Sequence, residues 1–73
     1  MNIYYSRHAK RRMKWRRITE SDIRSALERP DALEKVSEDR YNALKRIEVR
    51  LLKVTFTRID DVYVIITAVW KGE

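Results

Sequence analysis

The stretch L-K-V-T-F-T-R-I-D-D-V-Y-V-I-I-T-A-V-W, residues 52–70, decides how this chain folds. Its first half alternates apolar with polar or charged side chains, the period-two pattern of a strand with one buried face. Asp60 and Asp61 then predict a turn. The second half, Val62 to Trp70, is apolar on both faces, which is typical of a strand that is central or covered on both sides. The alternation assigns its residues to two faces: Val62, Val64, Ile66 and Ala68 on one, and Tyr63, Ile65 and Val69 on the other.

Two further strands are predicted upstream of this hairpin, at residues 32–36 and 40–47. The second stretch also fits a helix, because Tyr41, Leu44 and Ile47 recur at nearly helical spacing, and we assign it as a strand. A short β-branched and aromatic segment, Ile3 to Tyr5, predicts an opening strand.

Two helices are predicted between these strands. The first runs from Arg7 to Arg17 behind Ser6, a residue type that favours the N-cap position. The second begins at T-E-S-D, residues 19–22, where Thr19 and Asp22 have the spacing of a capping box, and it ends at Pro30. The predicted fold is α+β: a short N-terminal strand, two helices, then an antiparallel β-meander, with both helices packed on one face of the sheet.

Size and composition restrict the function further. We expect one domain over residues 1–73. The chain has no cysteine and a single histidine, which argues against a disulfide or a transition-metal site. We also expect no cofactor. The N-terminus lacks the layout of a signal peptide, and Val62 to Trp70 is far shorter than the roughly 20 residues that span a bilayer. We therefore expect a soluble cytoplasmic protein with no membrane partner.

The positive charge is confined to one segment. Seven of the 17 basic residues lie between Arg7 and Arg17, where no acidic residue occurs. From Ile18 onward ten basic residues face eleven acidic ones, so the net charge of +6 comes from the first seventeen positions. Such a local charge favours a polyanionic partner: a nucleic acid, an anionic membrane surface or an acidic protein.

On the predicted first helix, His8, Arg12 and Arg16 are spaced i, i+4 and i+8 and form one ridge, which we call the α1 ridge. Ala9 and Met13 lie beside it and should face the core. Two guanidiniums can hold phosphate oxygens, and an imidazole that titrates near neutral pH can transfer a proton. RNA suits this chemistry because its 2′-hydroxyl is a built-in nucleophile. The alternative is an ordinary solvated helix face on which His8 only makes a local hydrogen bond.

Other basic and aromatic residues are further candidates for contacts to nucleic acid: Arg7, Arg11, Lys14, Trp15, Arg46 and Lys53. A tryptophan at the position of Trp15 is more often a rim or packing aromatic than a stacking platform for a base. The basic residues of the predicted sheet are likewise more often a solvated strand face or edge protection than contacts to nucleic acid.

The run S-R-H-A-K-R-R-M-K-W-R-R-I, residues 6–18, followed by A-L-E-R-P-D, residues 26–31, resembles a family of small bacterial and archaeal domains of unknown function. Their helical signature is H-A-x-x-R-M-x-x-R-x-I, and Arg17 stands where the family often has glycine. The family is similar to the RelE/ParE and BrnT toxins of type II toxin–antitoxin systems, in which two helices pack on an antiparallel sheet. RelE-like members cleave mRNA without a metal, whereas ParE-like members inhibit gyrase, so the fold does not decide the chemistry.

The α1 ridge and the resemblance together predict a toxin-like RNA-binding protein that acts as a metal-independent endoribonuclease on RNA, with ribosome-associated mRNA among the candidates. His8, Arg12 and Arg16 are its candidate catalytic residues. The alternative is a non-catalytic nucleic-acid-binding or protein-interaction module of the same fold. An antitoxin or a second copy of the chain would then cover the second apolar face of residues 62–70.

Overall fold

Five strands and two helices make up residues 1–72, the part of the chain that a computed structural model describes. The elements, in chain order, are β1 (Asn2–Tyr5), α1 (Arg7–Arg16), α2 (Glu20–Glu28), β2 (Ala32–Ser37), β3 (Arg40–Ile47), β4 (Arg50–Ile59) and β5 (Val62–Trp70). The α+β prediction is confirmed, and the ambiguous stretch 40–47 is a strand. Neither helix is long and apolar enough to cross a membrane.

The five strands form one mixed sheet in the order β1-β5-β4-β3-β2. Strands β2 to β5 are the predicted antiparallel meander. The sheet is not antiparallel throughout: at one edge β1 pairs parallel with β5, with Ile3 opposite Tyr63, a pairing that the sequence did not predict. The three hairpins after β2 make β5 antiparallel to β2, while the two helices connect β1 to β2 so that β1 and β5 run in the same direction and pair as parallel neighbours.

Side-chain caps hold the N-termini of both helices, as predicted. The Ser6 hydroxyl accepts a hydrogen bond from the Ala9 N–H at 3.0 Å. At the start of α2 the Thr19 hydroxyl accepts from the Asp22 N–H, and the Asp22 carboxylate accepts from the Thr19 N–H, each at 3.0 Å. This reciprocal capping box satisfies two backbone donors that the helix itself leaves free.

Helix α1 ends one residue earlier than predicted, because Arg17 adopts the left-handed conformation with φ 56° and ψ 44°. Its N–H donates to the Lys14 carbonyl at 3.3 Å, and the Ile18 N–H donates to the Met13 carbonyl at 2.8 Å. These two bonds form a Schellman motif, and Ile18 and Met13 are both buried in it. Arg17 therefore occupies a position whose backbone favours glycine.

Both helices pack on one face of the sheet and form the core with it. Helix α1 lies over β5, and α2 lies over β3 and β4. The buried apolar residues of this core are Ala9, Met13, Ile18, Ile23, Ala26, Leu27, Ala43, Leu52, Val54, Phe56, Ile65, Ala68 and Trp70.

A β-bulge changes the predicted faces of β5. Phe56 pairs with Ile65 while its neighbour Thr55 pairs with Thr67, so β5 contains one extra residue between these pairs. Beyond the bulge Ala68 points to the same face as Ile65, and both are fully buried beneath the helices. The prediction that grouped Ala68 with Val62 and Val64 is therefore wrong, because strict alternation does not account for an inserted residue.

Candidate nucleic-acid interface

Helix α1 presents the α1 ridge at the border between core and solvent. Ala9 and Met13 are buried against the sheet, as predicted. Arg12 and Arg16 are half-buried beside them, and His8 is exposed. The α1 ridge therefore lies close to the sheet at Arg16 and is open to solvent at His8.

Arg16 also anchors α1 to β5, a role that the sequence did not indicate. Its Nη1 donates to the Ala68 carbonyl at 3.0 Å, and the Trp70 indole N–H donates to the Arg16 carbonyl at 2.8 Å. The Arg50 guanidinium stacks on the Trp70 ring, with its Cζ 3.9 Å from the ring centroid. Arg16 therefore has a structural role, which is separate from its predicted role in binding a ligand.

The Ala68 carbonyl is available to Arg16 because of the way β5 is paired. The Lys71 N–H bonds to the Leu51 carbonyl at 2.8 Å, and hydrogen-bonded pairs alternate along an antiparallel ladder. By this alternation the backbone groups of Ala68 point away from β4. Strand β1 pairs only with residues 62–65, so the edge of β5 beyond it is open to the Arg16 side chain.

The basic residues of α1 are not neutralised by acids. Within residues 1–72 the two ion pairs are Lys35 with Glu38 at 4.0 Å and Lys45 with Asp31 at 3.8 Å. In the same part of the chain, His8 and Arg12 make no hydrogen bond or ion pair with a protein group. Their donors are free to bind a ligand. No group of three or more His, Asp or Glu side chains in residues 1–72 is placed to hold a metal ion.

The outer surface of α1 adds further donors and one aromatic ring. Arg7, Arg11 and Lys14 are exposed, as is Trp15, at 79% of its maximal area. Trp15 therefore does not pack in the core of this chain, and the rim and base-stacking interpretations stay open. A ring exposed to that degree among unpaired cations can stack on a base.

Two of the sequence-predicted contacts lie on another surface. Lys53 pairs with Leu44 and Val69, and Arg46 pairs with Leu51, all of them on the sheet face turned away from the helices. Strand alternation requires this, since Leu52 and Val54 on either side of Lys53 are buried beneath the helices. The predicted set therefore divides into an α1 group and a group on the opposite face of the sheet.

This opposite face is also the surface relevant to the predicted antitoxin or second copy. Val62, Val64 and Val69 lie on it half-buried, and both helices pack on the other side. The antitoxin and the second copy of the chain both stay predictions.

A row of aromatic rings on the helix side of the sheet is a feature that sequence reasoning missed. The Tyr41 and Phe56 ring centroids are 5.7 Å apart, and those of Phe56 and Tyr63 are 5.4 Å apart. With Leu33 and Arg58 these rings line an open cavity of about 200 Å³, which we call the aromatic cavity. Only the register of three strands brings the rings together.

Tyr5 lies at the junction of β1 and α1, where its phenol is partly buried. Burial raises the pKa of its phenol above the ordinary value of 10.0. The negative charge of Glu20 raises this pKa further, and the positive charge of Arg24 partly offsets both effects. Tyr5 is therefore a neutral packing residue near neutral pH.

Comparison with known proteins identifies one family. Residues 5–70 match the family model described as "Domain of unknown function (DUF4258)", a range that begins at the last residue of β1 and ends at the last residue of β5. No curated protein and no solved structure matches the chain. On a match of this extent, the chain belongs to the DUF4258 family of domains of unknown function.

Proposed function

We propose that this protein binds RNA through α1 and cleaves it without a metal, as a toxin of a type II toxin–antitoxin system. The observation that carries the proposal is the charge of α1. Seven basic residues lie between positions 7 and 17, and none of them forms an ion pair within residues 1–72. Unpaired cations at this density repel one another, and a bound polyanion relieves that repulsion while releasing counterions.

In the binding step, the α1 ridge holds the phosphates. Within residues 1–72 Arg12 has no hydrogen-bond or ion-pair partner, and the Arg16 side chain donates one hydrogen bond, to the Ala68 carbonyl. Both guanidiniums therefore retain donors for phosphate oxygens. The exposed Trp15 ring lies on the same helix and offers a stacking surface for a base. Single-stranded RNA fits this combination better than a duplex, since only unpaired bases expose a face for stacking.

In the cleavage step, the 2′-oxygen of one nucleotide attacks the adjacent phosphorus, and the bond from phosphorus to the 5′-oxygen of the next nucleotide breaks. One proton leaves the 2′-hydroxyl and another reaches the departing 5′-oxygen. His8 performs one of these transfers and water performs the other. Arg12 and Arg16 stabilise the extra negative charge on the phosphorane. The products carry a 2′,3′-cyclic phosphate and a 5′-hydroxyl.

Incubation of the purified protein with single-stranded RNA, with and without EDTA, tests this proposal. We expect cleavage in both conditions, and His8→Ala should slow it by roughly 10²–10⁴-fold. Lys10→Ala is the matched control, because Lys10 is exposed on the other flank of the same helix. Uncut RNA together with harmless overexpression in bacteria would exclude the nuclease.

A non-catalytic RNA-binding module is the second candidate, and the hydrogen bond from Arg16 to Ala68 favours it. This bond shows that one member of the α1 ridge has a structural role, and it leaves His8 as the one side chain of the ridge that could transfer a proton. The module would bind RNA with an affinity that falls steeply as salt is added, would leave the strand intact, and would tolerate His8→Ala.

A further inference from the structure

We infer that the aromatic cavity binds one nucleobase of an RNA strand whose phosphates lie on α1. This inference rests on the proposed function and adds a second contact region to it. The cavity lies on the helix side of the sheet, where Phe56 of β4 stands between Tyr41 of β3 and Tyr63 of β5.

The shape of the cavity suits a single planar ring system. Phe56 is only 4% exposed and forms the floor, while Tyr41 and Tyr63 are half-buried on either side of it and Leu33 is exposed at the rim. A cavity of about 200 Å³ is smaller than the roughly 300–1,000 Å³ pockets that take drug-sized ligands. A base placed there contacts the aromatic rings, an interaction that every nucleobase can make.

The charge of the lining favours a base over an apolar protein side chain. Arg58 is the one charged residue among the five that line the cavity, and its Cζ lies 4.7 Å from the centroid of the Tyr63 ring. Its guanidinium can donate to the acceptor edge of a base, most favourably the adjacent O6 and N7 of guanine. A leucine or phenylalanine side chain would instead remove water from Arg58 without replacing its hydrogen bonds.

The surrounding charges also orient the bound RNA strand relative to the protein. Two acidic turns, Glu38-Asp39 and Asp60-Asp61, lie at the ends of the strands that carry the aromatic rings, and they disfavour phosphates there. Along β5, Tyr63 at the cavity is about 16 Å from Ala68, at roughly 3.3 Å per residue. The Ala68 carbonyl accepts the hydrogen bond from Arg16 of the α1 ridge. A few nucleotides span that distance, with the base in the cavity and the phosphates running towards α1.

NMR titration of the full chain with GMP and, separately, AMP tests the cavity without involving α1. We expect the ring resonances of Tyr41, Phe56 and Tyr63 to shift with both nucleotides. Arg58→Gln should weaken the effect of GMP more than that of AMP, and its exposed position makes loss of the fold unexpected.

RNA affinity is the second readout. Tyr63→Leu should lower it by roughly 5- to 150-fold, the range for loss of one stacked base. Tyr4→Leu is the matched control, since Tyr4 is 58% exposed on the opposite face of the sheet. Circular dichroism of both variants checks that they are folded.

Unshifted rings at millimolar GMP and AMP would overturn the inference, and so would equal losses of RNA affinity in Tyr63→Leu and Tyr4→Leu. Shifts that N-acetyltryptophanamide produces and the nucleotides do not would also overturn it, because the cavity would then accept a protein side chain. Ring shifts with mononucleotides in a protein that fails to bind RNA would support the cavity as a nucleotide site and refute the proposed role of α1.

Discussion

Replacing Arg16 and Arg12 one at a time by methionine should separate the structural role of the α1 ridge from its role in binding. Methionine keeps a long unbranched side chain with a helix propensity close to that of arginine. Both substitutions remove one positive charge from α1. Only Arg16→Met removes a hydrogen bond, the one from Nη1 to the Ala68 carbonyl at 3.0 Å.

The structure indicates the size of the difference. A hydrogen bond from a charged donor contributes about 1.5–3 kcal/mol to the free energy of unfolding. Because Arg16 is half-exposed, solvent screening weakens the bond, and we expect a loss at or just below the lower end of this range, about 1–2 kcal/mol. Arg12→Met should change the free energy of unfolding by less than about 0.5 kcal/mol, because Arg12 makes no hydrogen bond or ion pair within residues 1–72 and methionine keeps the packing of its aliphatic part.

Urea unfolding followed by circular dichroism measures both values, and the dependence on urea should be unchanged between variants. In a thermal melt each kcal/mol corresponds to a shift of roughly 4–8 °C in a domain of this size. If the two variants unfold within about 0.5 kcal/mol of each other, the bond from Arg16 to Ala68 does not anchor α1, and this part of our reasoning is refuted.

Three further predictions concern the fold around α1. Trp70→Phe should lower the free energy of unfolding by about 1.5–3 kcal/mol, because it removes the indole bond to the Arg16 carbonyl and weakens the contact with Arg50. Denaturant unfolding measures this loss, and a value below about 0.5 kcal/mol would contradict the role of Trp70 in holding α1 on β5. Arg17→Gly should raise that free energy by about 0.5–1 kcal/mol, because glycine adopts φ 56° without steric cost; a destabilised variant in the same assay would argue against the left-handed cap. Because the pKa of Tyr5 is raised in the folded protein, its contribution to stability is fully present below the ordinary pKa of 10.0 and is lost as pH rises through the folded pKa. Between pH 8 and about 11 the free energy of unfolding should therefore fall less steeply with pH in Tyr5→Phe than in the unchanged protein, and parallel curves would contradict the prediction.

Local signals in the sequence predicted most of the elements. The caps at Ser6 and Thr19 depend on residues three positions apart, and the alternation in β4 depends on neighbours along one strand. Periodicity within α1 likewise placed Ala9 and Met13 in the core. These features need no knowledge of distant parts of the chain.

The missed features all join residues far apart in the sequence. The parallel pairing of β1 with β5 and the bond from Arg16 to Ala68, 52 residues away, depend on how the elements assemble. The bulge in β5 comes from its pairing with β4 rather than from its composition. The same holds for the aromatic cavity, because the positions of Tyr41 and Tyr63 beside Phe56 follow from the register of three strands.

The salt dependence of RNA affinity in two double variants tests the central claim most directly. Arg11→Gln with Arg12→Gln removes two charges from α1, and Arg46→Gln with Lys53→Gln removes two from the opposite face of the sheet. With single-stranded RNA, each lost phosphate contact lowers the slope of log affinity against log salt by about 0.7. We predict a slope smaller by about 1.4 for the α1 pair and an unchanged slope for the sheet pair. Equal changes in the two pairs, or no change in either, would contradict RNA binding through α1.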